Sequence, residues 1–361
     1  MIIGESIFEV DTPALWVDLD MMERNITLMA AYMQSAAVGW RPHTKGIKIP
    51  AIAHKLIDAG AIGITCAKLS EAEVMAAAGI KDILVANQVV GAKKVERLIA
   101  LRSQADVMVA VDNLDNAQAI SSAASAAGTQ IRVLVELDIG MQRAGIKPGQ
   151  FTHEFVKQIL DMPGIEFAGL MGWEGQAVAI ADPLEKQRVV EQSIRLLLNS
   201  ASLIKDDGIP VQIISCGGSG SFRITAQIPG VTEIQAGGAV FGDETYQKWG
   251  AATESSLFVM TTVSSRAVPE RAIVDAGRKS LNYEISMPRP QNLEGVELVS
   301  LSSEHGVLKV SNMDLKLGVG DKINFVVGYG DWTLFLFDRL LGVRDGKVEI
   351  IWDILARGRL T

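Results

Sequence analysis

Residues 41–48, Arg41-Pro42-His43-Thr44-Lys45-Gly46-Ile47-Lys48, hold the side chains most able to do covalent chemistry. Lysine condenses with an aldehyde only as the free amine. It therefore needs a partly desolvated or cationic setting that lowers its pKa. Arg41, His43 and Lys48 are expected to supply that setting for Lys45; a basic surface turn is the plainer reading of the same residues. The stretch follows a short apolar run, Ala37-Val38-Gly39-Trp40, and precedes a helical pattern that begins near Pro50, so it reads as a loop after a strand.

A second stretch complements the amine. Ser215-Cys216-Gly217-Gly218-Ser219-Gly220-Ser221 follows the apolar run 211–214, and Gly237-Gly238 follows Glu233-Ile234-Gln235. Glycines let a backbone approach an anion and turn its N–H groups toward it, and serine hydroxyls add donors. Tight turns would use the same residues, but two such loops after successive strands read as a phosphate cradle. A reactive lysine with a phosphate cradle points to pyridoxal phosphate, whose aldehyde takes the amine and whose phosphate anchors it.

The elements that must position these groups form a rhythm. After a first strand over 13–19, followed by a helix that Asp20 is expected to cap, apolar runs end near Arg41, Cys66, Asn87, Asp112, Asp138, Gly172, Cys216 and Gln235. Helical patterns such as 70–78, 92–101, 116–127 and 183–203 lie between them. Strands alternating with helices pair in parallel, and eight units in this length predict an α/β fold, a closed (β/α)8 TIM barrel. An open doubly wound sheet would carry a glycine fingerprint in its first turn, which is absent. In a barrel the loops after the strands gather the chemistry, and Lys45, Asn87, Asp112, Arg143, Trp173 and Gly217 occupy such positions. Past Tyr246 the helical patterns fade. Short β-branched runs at 257–264, 271–275, 296–301, 307–310, 321–327, 333–337 and 347–352 predict a mostly antiparallel β domain. The expected division is a cofactor-binding barrel over 12–247 and a β domain over 248–361 joined by 1–11.

Composition narrows the partners. The chain has 361 residues, 48% of them hydrophobic, and a formal net charge of -8, so no basic field is available for nucleic acid. The two cysteines, Cys66 and Cys216, lack the spacing of a zinc site and read as buried thiols in a reducing compartment. Neither a signal-peptide pattern nor an apolar run long enough to span a bilayer is seen, so a cytoplasmic protein with no membrane partner is expected.

The sequence resembles the D-threonine aldolase and D-serine dehydratase group of alanine-racemase-like pyridoxal phosphate enzymes. The match covers nearly the whole chain. It is carried by Thr12-Pro13-Ala14-Leu15, Asp18-Leu19-Asp20, Arg24-Asn25, the lysine motif 41–45, Ser70-Glu71-Ala72-Glu73, Gln142-Arg143-Ala144-Gly145, the 217–221 loop, Val274-Asp275-Ala276-Gly277 and Glu304-His305-Gly306. The resemblance implies that Lys45 forms the internal aldimine and shuttles the Cα proton, with His43 nearby. It implies that Arg143 faces the pyridine nitrogen and keeps it unprotonated. Trp173 would wall the pocket, and Ser215, Gly217, Gly218, Ser219, Gly220, Ser221, Gln235, Gly237 and Gly238 would hold the cofactor. It also implies a homodimer in which the β domain of one chain completes the other's site.

Two departures from the family pattern matter. After the lysine the family commonly continues Thr-His-Lys, where this chain has Gly46-Ile47-Lys48. The family's C-terminal metal motif begins with histidine, where this chain has Tyr329-Gly330-Asp331. One carboxylate holds zinc poorly, although Asp331 with water would suit Mg2+ or Mn2+; loss of the metal is the other reading. Tyr329 would then stand in as acid or base. The expected reaction is retro-aldol cleavage of a D-3-hydroxy amino acid to a smaller amino acid and an aldehyde. The alternatives are a racemase using Lys45 and Tyr329 as two bases, and a D-serine-type dehydratase. A non-catalytic pyridoxal-phosphate-binding protein is disfavoured by the β domain.

Overall fold

A computed structural model describes residues 3–361. They group into two compact units: Met29–Lys45, Pro50–Gly237 and Gly358–Thr361 in one; the residues up to Leu28, Gly46–Ile49 and Gly238–Arg357 in the other.

The first unit is the barrel. Its strands are β2 (Gly39–Trp40), β3 (Ile64–Cys66), β4 (Asp82–Gln88), β5 (Asp106–Val111), β6 (Ile131–Leu137), β7 (Ile165–Gly172), β8 (Ile213–Cys216) and β9 (Glu233–Ile234), β1 being the earlier strand Ala14–Asp18 of the other unit. They run parallel in the order β2-β9-β8-β7-β6-β5-β4-β3. The ring closes where Ile62 N donates to Trp40 O at 2.8 Å and Thr65 N to Pro42 O at 2.9 Å. Leu84, Met108, Ala110, Leu134, Ala168 and Met171 fill the inside. Fully burying an aliphatic side chain of this size is worth about 1.5–3 kcal/mol, so this layer is a packed core and not a pore. Strand ends expected from the sequence fall within one residue of those observed.

Arg41 departs from expectation. Its guanidinium is buried against Glu233 (3.0 Å) and Asp82 (2.5 Å), which open β9 and β4. Its charge is matched at the N-terminal ends of those strands and is not lent to Lys45. Opposite charges buried together satisfy one another, and removing one partner typically costs about 3–5 kcal/mol.

The second unit is built on a nine-stranded sheet, with β10 (Leu257–Val268), β11 (Arg271–Val274), β12 (Arg289–Pro290), β13 (Val296–Leu301), β14 (Gly306–Val310), β15 (Lys322–Val326), β16 (Arg339–Arg344) and β17 (Lys347–Asp353). β1 belongs here: it pairs antiparallel with β10 and parallel with β16. Strand pairing therefore places 14–18 with the β unit, where the expected barrel span began at residue 12. Trp16 stacks on Phe258 with centroids 4.6 Å apart. The helix Leu19–Ser35 is capped by Asp18, whose Oδ1 accepts from Met21 N at 2.9 Å, in place of the expected Asp20. The strand expected at 333–337 is helical: Gly330–Thr333 and Leu334–Leu336 form two short helical turns. Thr333 N and Oγ1 both donate to Tyr329 O, closing that turn locally before a strand partner can compete. Among the described residues no helix is long and apolar enough to cross a membrane.

Candidate functional site

Lys45 sits in a single helical turn, Thr44–Gly46, after β2. The turn is held from below. Thr44 Oγ1 donates to Glu71 Oε1 and to Thr65 O, both at 3.0 Å, and the other Glu71 oxygen accepts from Ala67 N at 2.9 Å. Lys45 N donates to His43 Nδ1 at 3.3 Å, and the Lys45 side chain is exposed. Glu71 is fully buried, so the loop that presents the lysine is anchored through Thr44 to the barrel.

The glycine loops stand on neighbouring strands. β9 lies between β2 and β8, so the loops after β2, β8 and β9 emerge side by side from one end of the ring. A β-carbon on Gly237 would fall well under 3.0 Å from the His43 backbone. Only glycine lets these two loops pack directly. Below them Gln235 Nε2 donates to Ser215 Oγ at 2.9 Å, and both residues are buried. In the 217–221 loop Gly217 has a φ of 76°, and a β-carbon on Gly218 would strike the Trp173 indole. The exposed lysine and the two glycine stretches thus stand on adjacent loops at one end of the ring.

Two of the expected phosphate donors are engaged elsewhere. Gly217 N donates to Glu174 Oε2 at 3.3 Å, and Ser221 Oγ donates to Glu174 Oε1 at 2.7 Å. Glu174 is not singled out by any motif; its one signal is a carboxylate immediately after Trp173, just past the end of β7.

Arg143 lies in the loop after β6, exposed, with its guanidinium 3.5 Å from the buried Glu136 carboxylate. Gln88 Nε2 bridges Glu136 Oε2 at 2.6 Å and Asp112 Oδ2 at 3.1 Å, making a polar tier above the apolar interior. Burial pushes the Glu136 carboxyl above its ordinary pKa, against the hydrogen bond from Gln88 and the charge of Arg143.

Tyr329 and Asp331 belong to the second unit. Asp331 accepts from Tyr246 at 2.9 Å on Oδ1 and from Tyr329 at 3.1 Å on Oδ2. The Tyr329 ring packs 5.5 Å from Tyr246, 6.0 Å from Trp249 and 5.6 Å from Trp332. Burial first, then the Asp331 charge, holds both phenols above their ordinary pKa. Asp243 closes the cluster from behind, accepting from Tyr246 N at 2.7 Å and Gly330 N at 2.6 Å. Gly46, the residue after Lys45, packs on this cluster: a β-carbon there would lie well under 3.0 Å from Asp331 Oδ1. Among the described residues no group of three or more His, Cys, Asp or Glu surrounds Asp331. The donor set is oxygen only, which does not fit zinc and offers a hard divalent cation one carboxylate.

The chain matches the family model described as alanine racemase, N-terminal domain, over residues 17–245, and that of a putative serine dehydratase domain over 256–343. It is 39% identical to a D-threonine aldolase of Arthrobacter sp over 359 residues, 98% of this chain and 95% of the relative. It is 33% identical to a 3-hydroxy-D-aspartate aldolase of Paracoccus denitrificans over 370 residues, covering 97% and 93%. The crystal structure of D-threonine aldolase from Filomicrobium marinum superposes with a TM-score of 0.97 at 36% identity, covering both chains fully.

Proposed function

The chain belongs to the alanine racemase N-terminal domain family, and from that premise we propose that it is a pyridoxal-phosphate-dependent lyase cleaving D-3-hydroxy amino acids by a retro-aldol reaction. The carrying observation is the placement of Lys45, the 217–221 loop and Gly237 on the C-terminal ends of three neighbouring strands.

Pyridoxal phosphate, when bound, withdraws electrons from the amino acid Cα. Lys45 would take its aldehyde and later return a proton to Cα. The loops at 217–221 and 237–238 would hold its phosphate, with Ser215 and Gln235 beneath them, Trp173 as a wall and Arg143 at the ring nitrogen. His43 sets the Lys45 backbone. Cleavage requires the substrate β-hydroxyl to lose its proton as the Cα–Cβ bond breaks, giving an aldehyde and a glycine-like product. Asp331 is the proton acceptor we assign to that hydroxyl, and Tyr329, kept protonated by burial, orients the carboxylate through its hydrogen bond. No step here uses a metal.

The similarity to a D-threonine aldolase and a 3-hydroxy-D-aspartate aldolase over nearly the whole chain favours cleavage over the racemase alternative. The deciding experiment is incubation with D- and L-3-hydroxy amino acids, with and without EDTA or Mn2+, assaying aldehyde, ammonia and enantiomer ratio. Aldehyde from the D-isomer is expected. Ammonia with a keto acid would make the protein a dehydratase, and scrambled chirality alone a racemase.

The expected assembly is a homodimer in the cytoplasm, with a small amino acid as substrate and neither nucleic acid nor membrane as partner. The net charge of -8 supports the lack of a nucleic-acid partner. Sedimentation showing only monomer would overturn the dimer.

A further inference from the structure

Glu174 is fully buried, yet among the described residues no lysine or arginine pairs with it. Taking a carboxylate out of water costs several kcal/mol, so an unpaired one in a core needs another source of stabilisation. Here that source is three donors. Gly217 N reaches Oε2 at 3.3 Å, while Ser221 Oγ and Thr225 Oγ1 reach Oε1 at 2.7 and 2.6 Å.

The three donors are spread over the anion loop. Gly217 opens it, Ser221 closes it, and Thr225 lies in the helical turn Phe222–Thr225 that follows. Glu174 therefore staples both ends of the loop to one point. The loop folds on itself from that staple. Gly218 N donates to Ser221 Oγ at 3.1 Å, and Ser221 N and Phe222 N both return to Gly218 O, at 3.0 and 2.9 Å. Ser219 and Gly220 lie between these anchor points, both buried. The neighbouring Trp173 indole supports Gly218 from the same side.

The residue type follows from the donors. All three groups give a hydrogen, and only a carboxylate accepts on both oxygens without presenting a donor of its own. Glutamine would either set an NH2 against Gly217 N or turn it to the two hydroxyls, which would then have to accept where they now donate. Charge alone argues the other way, because an anion close to a phosphate loop repels the phosphate. Glu174 therefore has opposite effects through shape and through charge, and an experiment can tell which is larger.

We propose that Glu174 is the positioning residue of the phosphate cradle: it preorganises the 217–221 loop for the phosphate group and thereby sets the preference for the phosphorylated cofactor. The proposal rests on the 217–221 loop being the phosphate site. Preorganised loops bind more tightly because less ordering remains to be done on binding.

The test titrates apoprotein with pyridoxal phosphate and with pyridoxal, which has the same aldehyde and no phosphate. Binding is followed by imine absorbance. Wild type should favour the phosphorylated form. In Glu174→Gln that preference should fall by about tenfold or more, the scale expected for losing a hydrogen bond to a charged group, while pyridoxal binding stays nearly unchanged. Thr225→Val, which removes one staple and keeps the charge, should move the preference the same way by less. An unchanged or increased preference in Glu174→Gln would overturn the proposal, an increase meaning that repulsion dominates. Equal loss of both ligands would also overturn it, by reducing Glu174 to a general fold residue. A wild type with no preference would instead remove the phosphate site itself, and the proposal with it.

Discussion

Gly46 has no room for a side chain because Asp331 occupies the space: a β-carbon on Gly46 would lie well under 3.0 Å from Asp331 Oδ1. Gly46 is bonded to Lys45, the proposed cofactor lysine. The acid that accepts from Tyr246 and Tyr329 is thus packed on the next residue along the chain. Gly46→Ala should push Asp331 off its tyrosine partners and leave the Lys45 amine intact. The expected result is unchanged imine absorbance with kcat lowered by about 10²-fold, the scale of a displaced acid–base group. Loss of the absorbance would mean that the substitution disturbs the lysine loop itself.

Tyr329 separates the orienting role from the basic one. Its phenol stays protonated well above the ordinary tyrosine range, mainly through burial and then through Asp331. The pH–rate profile should therefore show no limb from tyrosine ionisation below about pH 10. Tyr329→Phe keeps the ring packing but takes the hydroxyl from Asp331. It should lower kcat by roughly 10²-fold while leaving cofactor affinity alone. Tyr246→Phe should act in the same direction, since it supplies the donor to the other Asp331 oxygen. Phenylalanine variants with full activity would remove both tyrosines from the chemistry.

Much of the barrel was legible because its signal is local. Apolar runs and alanine-rich helices alternate, and each strand end was placed within a residue. The position of the glycine loops and of Lys45 after strand ends is legible for the same reason, since each follows a short apolar run. Partnerships across the sequence were not. Arg41 sits beside His43 in the chain, yet its charge is matched by Glu233 and Asp82, residues distant in sequence. Ser221 and Gly217 read locally as phosphate donors, but Glu174 takes both, and nothing local in 173–174 announces a staple. Residues 333–337 read as a strand because Thr333 to Phe337 are β-prone. The Tyr329 carbonyl, accepting twice from Thr333, decides otherwise.

Metal preference, in a protein whose proposed steps use no metal, follows from the donor set at Asp331. With one carboxylate and two tyrosine hydroxyls at hand, a cation that prefers oxygen is favoured over zinc. Mn2+ titrated into the holoenzyme and read by electron paramagnetic resonance should bind at roughly 10⁻⁴ M or weaker, as suits a site of few charged ligands. Asp331→Asn should abolish that binding. Tight stoichiometric zinc in the purified protein would contradict this, and would require nitrogen or sulfur ligands from elsewhere.

Glu136 gives a prediction about stability whose sign is fixed by its surroundings. Burial raises its carboxyl pKa in the folded protein, outweighing the Gln88 hydrogen bond and the Arg143 charge. Below the ordinary glutamate pKa both folded and unfolded chains hold the proton, and the stabilisation from keeping Glu136 neutral is fully present. As pH rises above that value the unfolded chain releases the proton first, so the folded state binds more protons and loses relative stability until its own raised pKa is passed. Glu136→Gln removes this titration and keeps an acceptor for Gln88. Urea unfolding measured between about pH 4 and pH 8 should show the wild-type midpoint falling relative to that of Glu136→Gln across the window. A difference that stays constant with pH would mean that Glu136 titrates alike in both states. A difference of the opposite slope would mean that Arg143 pairs with it more strongly than burial penalises it.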